Sequence, residues 1–248
     1  VQSVAGSSAS AVAALSADSG QTITAKYVEL IGQGSALATI NNDTTTGNAT
    51  SQSITVNGVN GSGESVLVKA LGTGGATLQN GIAASTGQQS ITINGAGANL
   101  RVIGTGSDAN IVLNGTGVAS NQQNITVNTG TTNAIEIGDA AAGATAGVSA
   151  ILGMRQTVAA DTLSIRGGTG VGKHSRLVNN AGSQTVTLSG ALTLVGGTAV
   201  GTVSGCSAGN GGSCAFVSNS GSSLQHITAS MIDMKGGDIG GSTGAYNS

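Results

Sequence analysis

The sequence predicts an all-β chain wound as a right-handed parallel β-helix, a β-solenoid of about seven coils with roughly 34 residues in each. Three observations lead there. A short motif, Gln-x-[Ile/Val]-x-[aliphatic or Ala], recurs seven times along the 248 residues. Period-two alternation of apolar and polar residues surrounds every copy, the pattern of a strand with one buried face. Bulky side chains are nearly missing, with 43 Gly against one Phe, two Tyr and no Trp. Large aromatic side chains carry much of the packing in thick globular cores, so the core here must be thin and aliphatic.

The repeats open at Gln21, Gln52, Gln89, Gln123, Gln156, Gln184 and Gln225, with spacings of 31, 37, 34, 33, 28 and 41 residues. The strands therefore keep their pattern while the connections vary in length. A second alternating segment follows each one: Val28-x-Leu30, Val68-x-Ala70, Leu100-x-Val102, Ile135-x-Ile137, Leu163-x-Ile165, Leu192-x-Leu194 and Ile232-x-Met234. A third is visible in several copies as Ala38-x-Ile40-x-Asn42, Ala76-x-Leu78-x-Asn80, Ser175-x-Leu177-x-Asn179 and Ala215-x-Val217-x-Asn219. Gly and Asn between these runs supply the positive φ values that corners demand. Each coil buries its inward aliphatic row only when another stacks on it, and inward Gln or Asn can form ladders of side-chain amides. At about 4.8 Å per coil the rod is on the order of 35 Å long.

Residues 1–20 read as an assembly or capping segment, 21–235 as the solenoid, and 236–248 as a Gly-rich tail completing or joining the last coil. Within the first segment Gln2-x-Val4 resembles a truncated repeat start, and Ser10 to Leu15 reads as a short helix or an extra strand. The opening at Val1, without an initiator Met, is expected of a processed chain. A terminal coil presents unpaired N–H and C=O groups, which soluble β proteins blunt with Lys, Pro or a cap. This chain has no Pro and four Lys. The two ends are therefore expected to meet, with Val1, Gln2, Val4 and Ile23 at one and Ile227, Ile232, Met234 and Tyr246 at the other. Such a contact is head-to-tail, and a heterologous interface that does not close generates an open filament.

Eight Lys and Arg against ten Asp and Glu leave a net charge of −2, and charged residues make up 7% of the chain. Ordinary domains carry about 25%, so nothing here tracks phosphates and no nucleic-acid partner is expected. No apolar run reaches the roughly 18 residues of a membrane-spanning helix, so membrane insertion is not expected. Cys206 and Cys214 stand eight positions apart in a Gly-rich stretch, which predicts a disulfide and an oxidising, extracellular compartment.

Sharper chemistry is weighed against plainer readings. Gly167 to His174 falls one residue short of a phosphate-binding P-loop, since His174 stands where Ser or Thr would hold magnesium; a Gly-rich corner between strands accounts for it. His174 and His226 are available as general acid–base groups with Asp161 or Asp233, yet such histidines are more often simply exposed. Acids are scattered, with no pair placed for glycoside cleavage. The expectation is no enzyme activity, no cofactor and no metal site. The outward slots of the first strand align as hydroxyl ranks, most regularly Thr24, Thr55, Thr92, Thr126, Thr187 and Thr228. Thr is favoured on outward strand positions in any case, but the ranks resemble the ice-binding face of solenoid antifreeze proteins, the alternative function.

The Gln-x-[Ile/Val]-x-[Val/Leu] and Leu-x-Leu-x-Gly-Gly runs resemble the coils of large secreted bacterial β-solenoids, the filamentous-haemagglutinin-like adhesins and the repeat regions of FecR-domain surface proteins. The resemblance covers about residues 21–240. It implies secretion to the bacterial surface or beyond, a structural or adhesive role toward host or abiotic surfaces, and no cofactor. This chain is expected to depart from that pattern as a small complete unit, without the long repeat array or an anchor domain. That favours an extracellular homopolymer, contributing to adhesion or a biofilm matrix, over a monomeric adhesin passenger.

Overall fold

The computed structural model describes residues 12–42, 49–81, 86–114, 121–128, 132–139, 149–198, 213–220 and 223–237. Twenty-one strands form three parallel sheets of seven. The first sheet stacks β1 (Val12–Ala17), β4 (Leu37–Asn42), β7 (Ala76–Asn80), β10 (Ala109–Leu113), β13 (Ser149–Gly153), β16 (Ser175–Asn179) and β19 (Ala215–Asn219). The second carries the Gln motif: β2 (Gly20–Ala25), β5 (Ala49–Val56), β8 (Thr86–Ile93), β11 (Gln122–Val127), β14 (Arg155–Ala160), β17 (Gln184–Leu188) and β20 (Gln225–Thr228). The third stacks β3 (Val28–Gly34), β6 (Val66–Gly72), β9 (Asn99–Gly104), β12 (Ala134–Ile137), β15 (Thr162–Arg166), β18 (Ala191–Val195) and β21 (Met231–Lys235). Every strand pairs with the strand three places away in sequence, which is the connectivity of a parallel β-helix with three strands to the coil.

Like residues stack in register because the inward face is mainly aliphatic, and a one-residue slip would turn that face outward. Gln21 pairs Gln52, Gln52 pairs Gln89, and the match continues to Gln225. The core consists of Ile, Val, Leu and Ala, and includes Leu30, Ile54, Leu78, Ile91, Ile111 and Ile135, all fully buried.

Three expectations are refined. Of the two readings of Ser10 to Leu15, the extra strand is the one seen over Val12–Leu15: β1 lies in register on β4, so strand stacking extends N-terminal of residue 21 to at least Val12. In the second coil the partner of Val28-x-Leu30 is Val66-x-Val68, two residues upstream of the predicted pair. A two-residue shift preserves the inward face, so alternation alone does not resolve it. The third strand is present in every coil, including Ala109-x-Ile111-x-Leu113, where Leu replaces the expected Asn.

Corners are closed by polar groups. Asn133 is fully buried; its Oδ1 accepts from Ala98 N at 2.9 Å, and its own N–H donates to Asp161 Oδ2 at 3.2 Å. Ser189 Oγ donates to Asp161 Oδ1 at 2.7 Å in the next coil. Gly138 turns one corner with φ +87°, and a Cβ there would stand 2.0 Å from Arg166 O. On the outer face of the third sheet, Arg101 bridges Glu64 and Glu136, each at 2.8 Å.

Candidate assembly surfaces at the two tips

The Gln side chains form a continuous row inside the rod. Gln52 Nε2 donates to Gln21 Oε1 at 2.8 Å, and Gln89, Gln123, Gln156, Gln184 and Gln225 repeat the bond to the coil before at 2.8, 2.7, 2.7, 2.7 and 2.6 Å. At three of these positions the second hydrogen has a partner too: Gln52, Gln89 and Gln156 also donate to the main-chain oxygens of Gln79, Val112 and Val178. An amide buried this way must satisfy both donors, and the stacked register makes that possible. Among the described residues the row runs from Gln21 to Gln225.

The Asn positions of the first sheet form two separate pairs, with Leu113 and Gly153 at this position in the coils between them. Asn42 Nδ2 donates to Asn80 Oδ1 at 2.8 Å, and Asn179 Nδ2 to Asn219 Oδ1 at 3.0 Å.

The tips differ from the middle in exposure, not in residue type. Ile232 and Met234 lie in register on Leu192 and Leu194, which are 2% and 9% exposed, yet are themselves 54% and 59% exposed. At the other end Leu15 lies in register on Ile40, 2% exposed, and is itself 44% exposed. Ile23 and Ile227 are partly buried against the core. Among the described residues, one edge of β1, β2, β3, β19, β20 and β21 has no strand beside it. Each tip thus combines open backbone groups with inward-register aliphatic residues. Val1, Gln2, Val4 and Tyr246, also expected at the assembly surfaces, lie outside the described residues.

The outward Thr positions are brought into one column. Thr24, Thr55, Thr92, Thr126, Ala159, Thr187 and Thr228 are successive register partners. Beside them run Thr22, Ser53, Ser90, Asn124, Thr157, Thr185 and His226. His226 is exposed, with Nε2 3.2 Å from Thr228 Oγ1.

His174 does not occupy the exposed position expected of it. It is buried at the corner before β16, its ring 6.2 Å from that of Phe216 at 62°. Neither the composition nor the near-P-loop spacing pointed to that packing; the signal lay in Phe216, the single Phe, whose register partner on β16 is Arg176, two residues after His174. The Gly-rich stretch before it closes on itself: Gly168 N donates to Lys173 O, and Lys173 N to Gly170 O, both at 3.1 Å. Asp161 belongs to the corner network, and Asp233 is paired with Lys235 at 3.0 Å. No cluster of three or more His, Cys, Asp or Glu forms among the described residues. No helix among them is long and apolar enough to cross a membrane. Cys214 is disulfide-bonded; Cys206, the other cysteine of the chain, lies outside the described residues.

No family model, curated protein or solved structure matches the chain.

Proposed function

We propose that the protein is the structural subunit of an extracellular homopolymeric filament, assembled head-to-tail by strand pairing between solenoid tips. The observation that carries this reading is the pair Ile232 and Met234, which hold core register and remain more than half exposed. A large aliphatic side chain left in water forgoes about 1.5–3 kcal/mol of burial. A neighbouring coil recovers that and pairs the open strand edges. The two tips present the same kinds of surface that stack on each other inside the rod, so a second copy continues the coil. Low charge keeps repulsion between copies small. The filament acts in adhesion to host or abiotic surfaces or in a biofilm matrix, in keeping with the resemblance to secreted bacterial solenoids. The test is electron microscopy of purified chain at rising concentration. Rods with an axial repeat of about seven coils support the reading, and single particles at every concentration sink it.

A second reading rests on the Thr column of the second sheet, which is interrupted only at Ala159. Hydroxyls about 4.8 Å apart along the rod form a flat, regular array able to order water as an ice-binding surface. Thermal hysteresis of dispersed subunits supports it; a freezing point equal to the melting point rejects it.

A further inference from the structure

Deepening the filament reading and resting on it, we propose that the buried glutamine row fixes the polarity and register of the junction. In this arrangement Gln21 of an incoming copy donates its unused Nε2–H to Gln225 Oε1 of the copy before it. All six amide bonds of the row run in one direction, each Nε2 toward the N-terminal coil. Each tip is therefore left with a different need. At the N-terminal tip Gln21 Oε1 already accepts from Gln52, and one Nε2 hydrogen reaches Asn41 O at a long 3.4 Å, which leaves a second hydrogen over. At the C-terminal tip the Gln225 Nε2 hydrogen that points along the row is committed to Gln184, and its Oε1 stands at the exposed end of the row.

The exposures agree with unfinished stacking. Gln21 is 8% exposed and Gln225 is exposed outright, whereas Gln89, Gln123 and Gln184 are at 0%. Two N-terminal tips brought together would oppose donors, and two C-terminal tips would oppose acceptors. Only head-to-tail contact completes the row. The register follows as well: continuing the pairing seats Ile23 on Ile227 and Ala25 on Ala229, both within the aliphatic face. A one-residue slip would face the core outward, and a two-residue slip would set an amide against an apolar neighbour in a closed bore.

The test uses the full chain and a variant that separates the two roles of Gln21. Gln21→Glu keeps an oxygen to accept from Gln52 but has no hydrogen to donate, so the subunit folds while the junction traps a carboxylate against Gln225 Oε1. Buried unpaired charge is costly, and tenfold in an equilibrium corresponds to 1.4 kcal/mol. The critical concentration for assembly at pH 7.5, taken as a ratio to wild type, is expected to rise on the order of 100-fold. At pH 4, below the usual Glu range of about 4.3, the protonated side chain regains an O–H donor and the ratio falls back toward one. Gln225→Glu keeps the acceptor that Gln21 needs, so its assembly at pH 7.5 is impaired less than that of Gln21→Glu. Should Gln21→Glu melt below wild type as a subunit, Gln21→Met removes the donor without a charge; its ratio rises about tenfold with no recovery in acid. Wild-type-like assembly of the Gln21 variants at pH 7.5, or equal impairment of Gln21→Glu and Gln225→Glu, overturns the proposal while leaving the filament standing. Wild-type chain that never polymerises removes both.

Discussion

Replacing Gln123 by Leu probes what the inner amide row contributes to the fold. Gln123 is fully buried; its Nε2 donates to Gln89 Oε1 and its Oε1 accepts from Gln156 Nε2, both at 2.7 Å. Leucine is close in volume, so little cavity opens, but at least one acceptor and one donor are orphaned inside the rod. Each orphaned buried group costs about 1–3 kcal/mol. The leucine recovers part of this through its own burial, leaving a net loss of about 2–4 kcal/mol. At the tip, Gln21→Leu orphans the Gln52 donor and otherwise loses the long 3.4 Å bond to Asn41 O, while Gln52 keeps its bond to Gln79 O at 3.0 Å. The tip variant should therefore lose about half as much or less. Urea unfolding followed by circular dichroism measures both; a lower midpoint at unchanged slope reports stability alone. The reasoning fails if the central and tip variants lose the same amount, or if Gln123→Leu loses less than about 1 kcal/mol.

Other substitutions test the remaining devices. Gly138→Ala meets both a positive φ and the Arg166 carbonyl, and should lower stability by at least about 2 kcal/mol; a melting temperature equal to wild type would show that the corner yields. Arg101→Met removes the bridge between Glu64 and Glu136, with the Arg side chain 26% exposed. Its cost is about 1 kcal/mol in dilute buffer and shrinks in 1 M salt, so a loss independent of salt would contradict an ionic origin. The double change Ile232→Ser and Met234→Ser acts on residues already more than half exposed. It should leave subunit melting nearly unchanged while abolishing rods in micrographs, and persistent rods would argue against that face as the junction.

Much of this fold was legible because a solenoid writes the same constraint into every coil. The Gln motif marked the seven strands of the second sheet, and the register matches Gln to Gln throughout. The third strand was harder to read where Leu113 stands in place of Asn, since the motif had been tied to a polar side chain and not to the inward slot it fills. The second-coil offset escaped because Val66, Val68 and Ala70 all face the same way. His174 was misread for a different reason. Burial at a corner depends on what the adjacent coil places there, and Phe216 lies 42 positions further along the chain. At the tips, the apolar residues were visible in the sequence, but their incomplete cover is a matter of stacking order, which no local pattern encodes.

The uneven spacing of the glutamines has a consequence for how the molecule grows. Coils separated by 28 residues and by 41 residues are joined by the same amide bond, at 2.7 and 2.6 Å. Each therefore advances the axis by one step, whatever its residue count. Extra sequence falls at the corners between strands and leaves that step unchanged. Segments spliced into those corners would be displayed as side branches on a shaft of fixed pitch, so the chain can acquire or shed decorations without changing the ruler that spaces them.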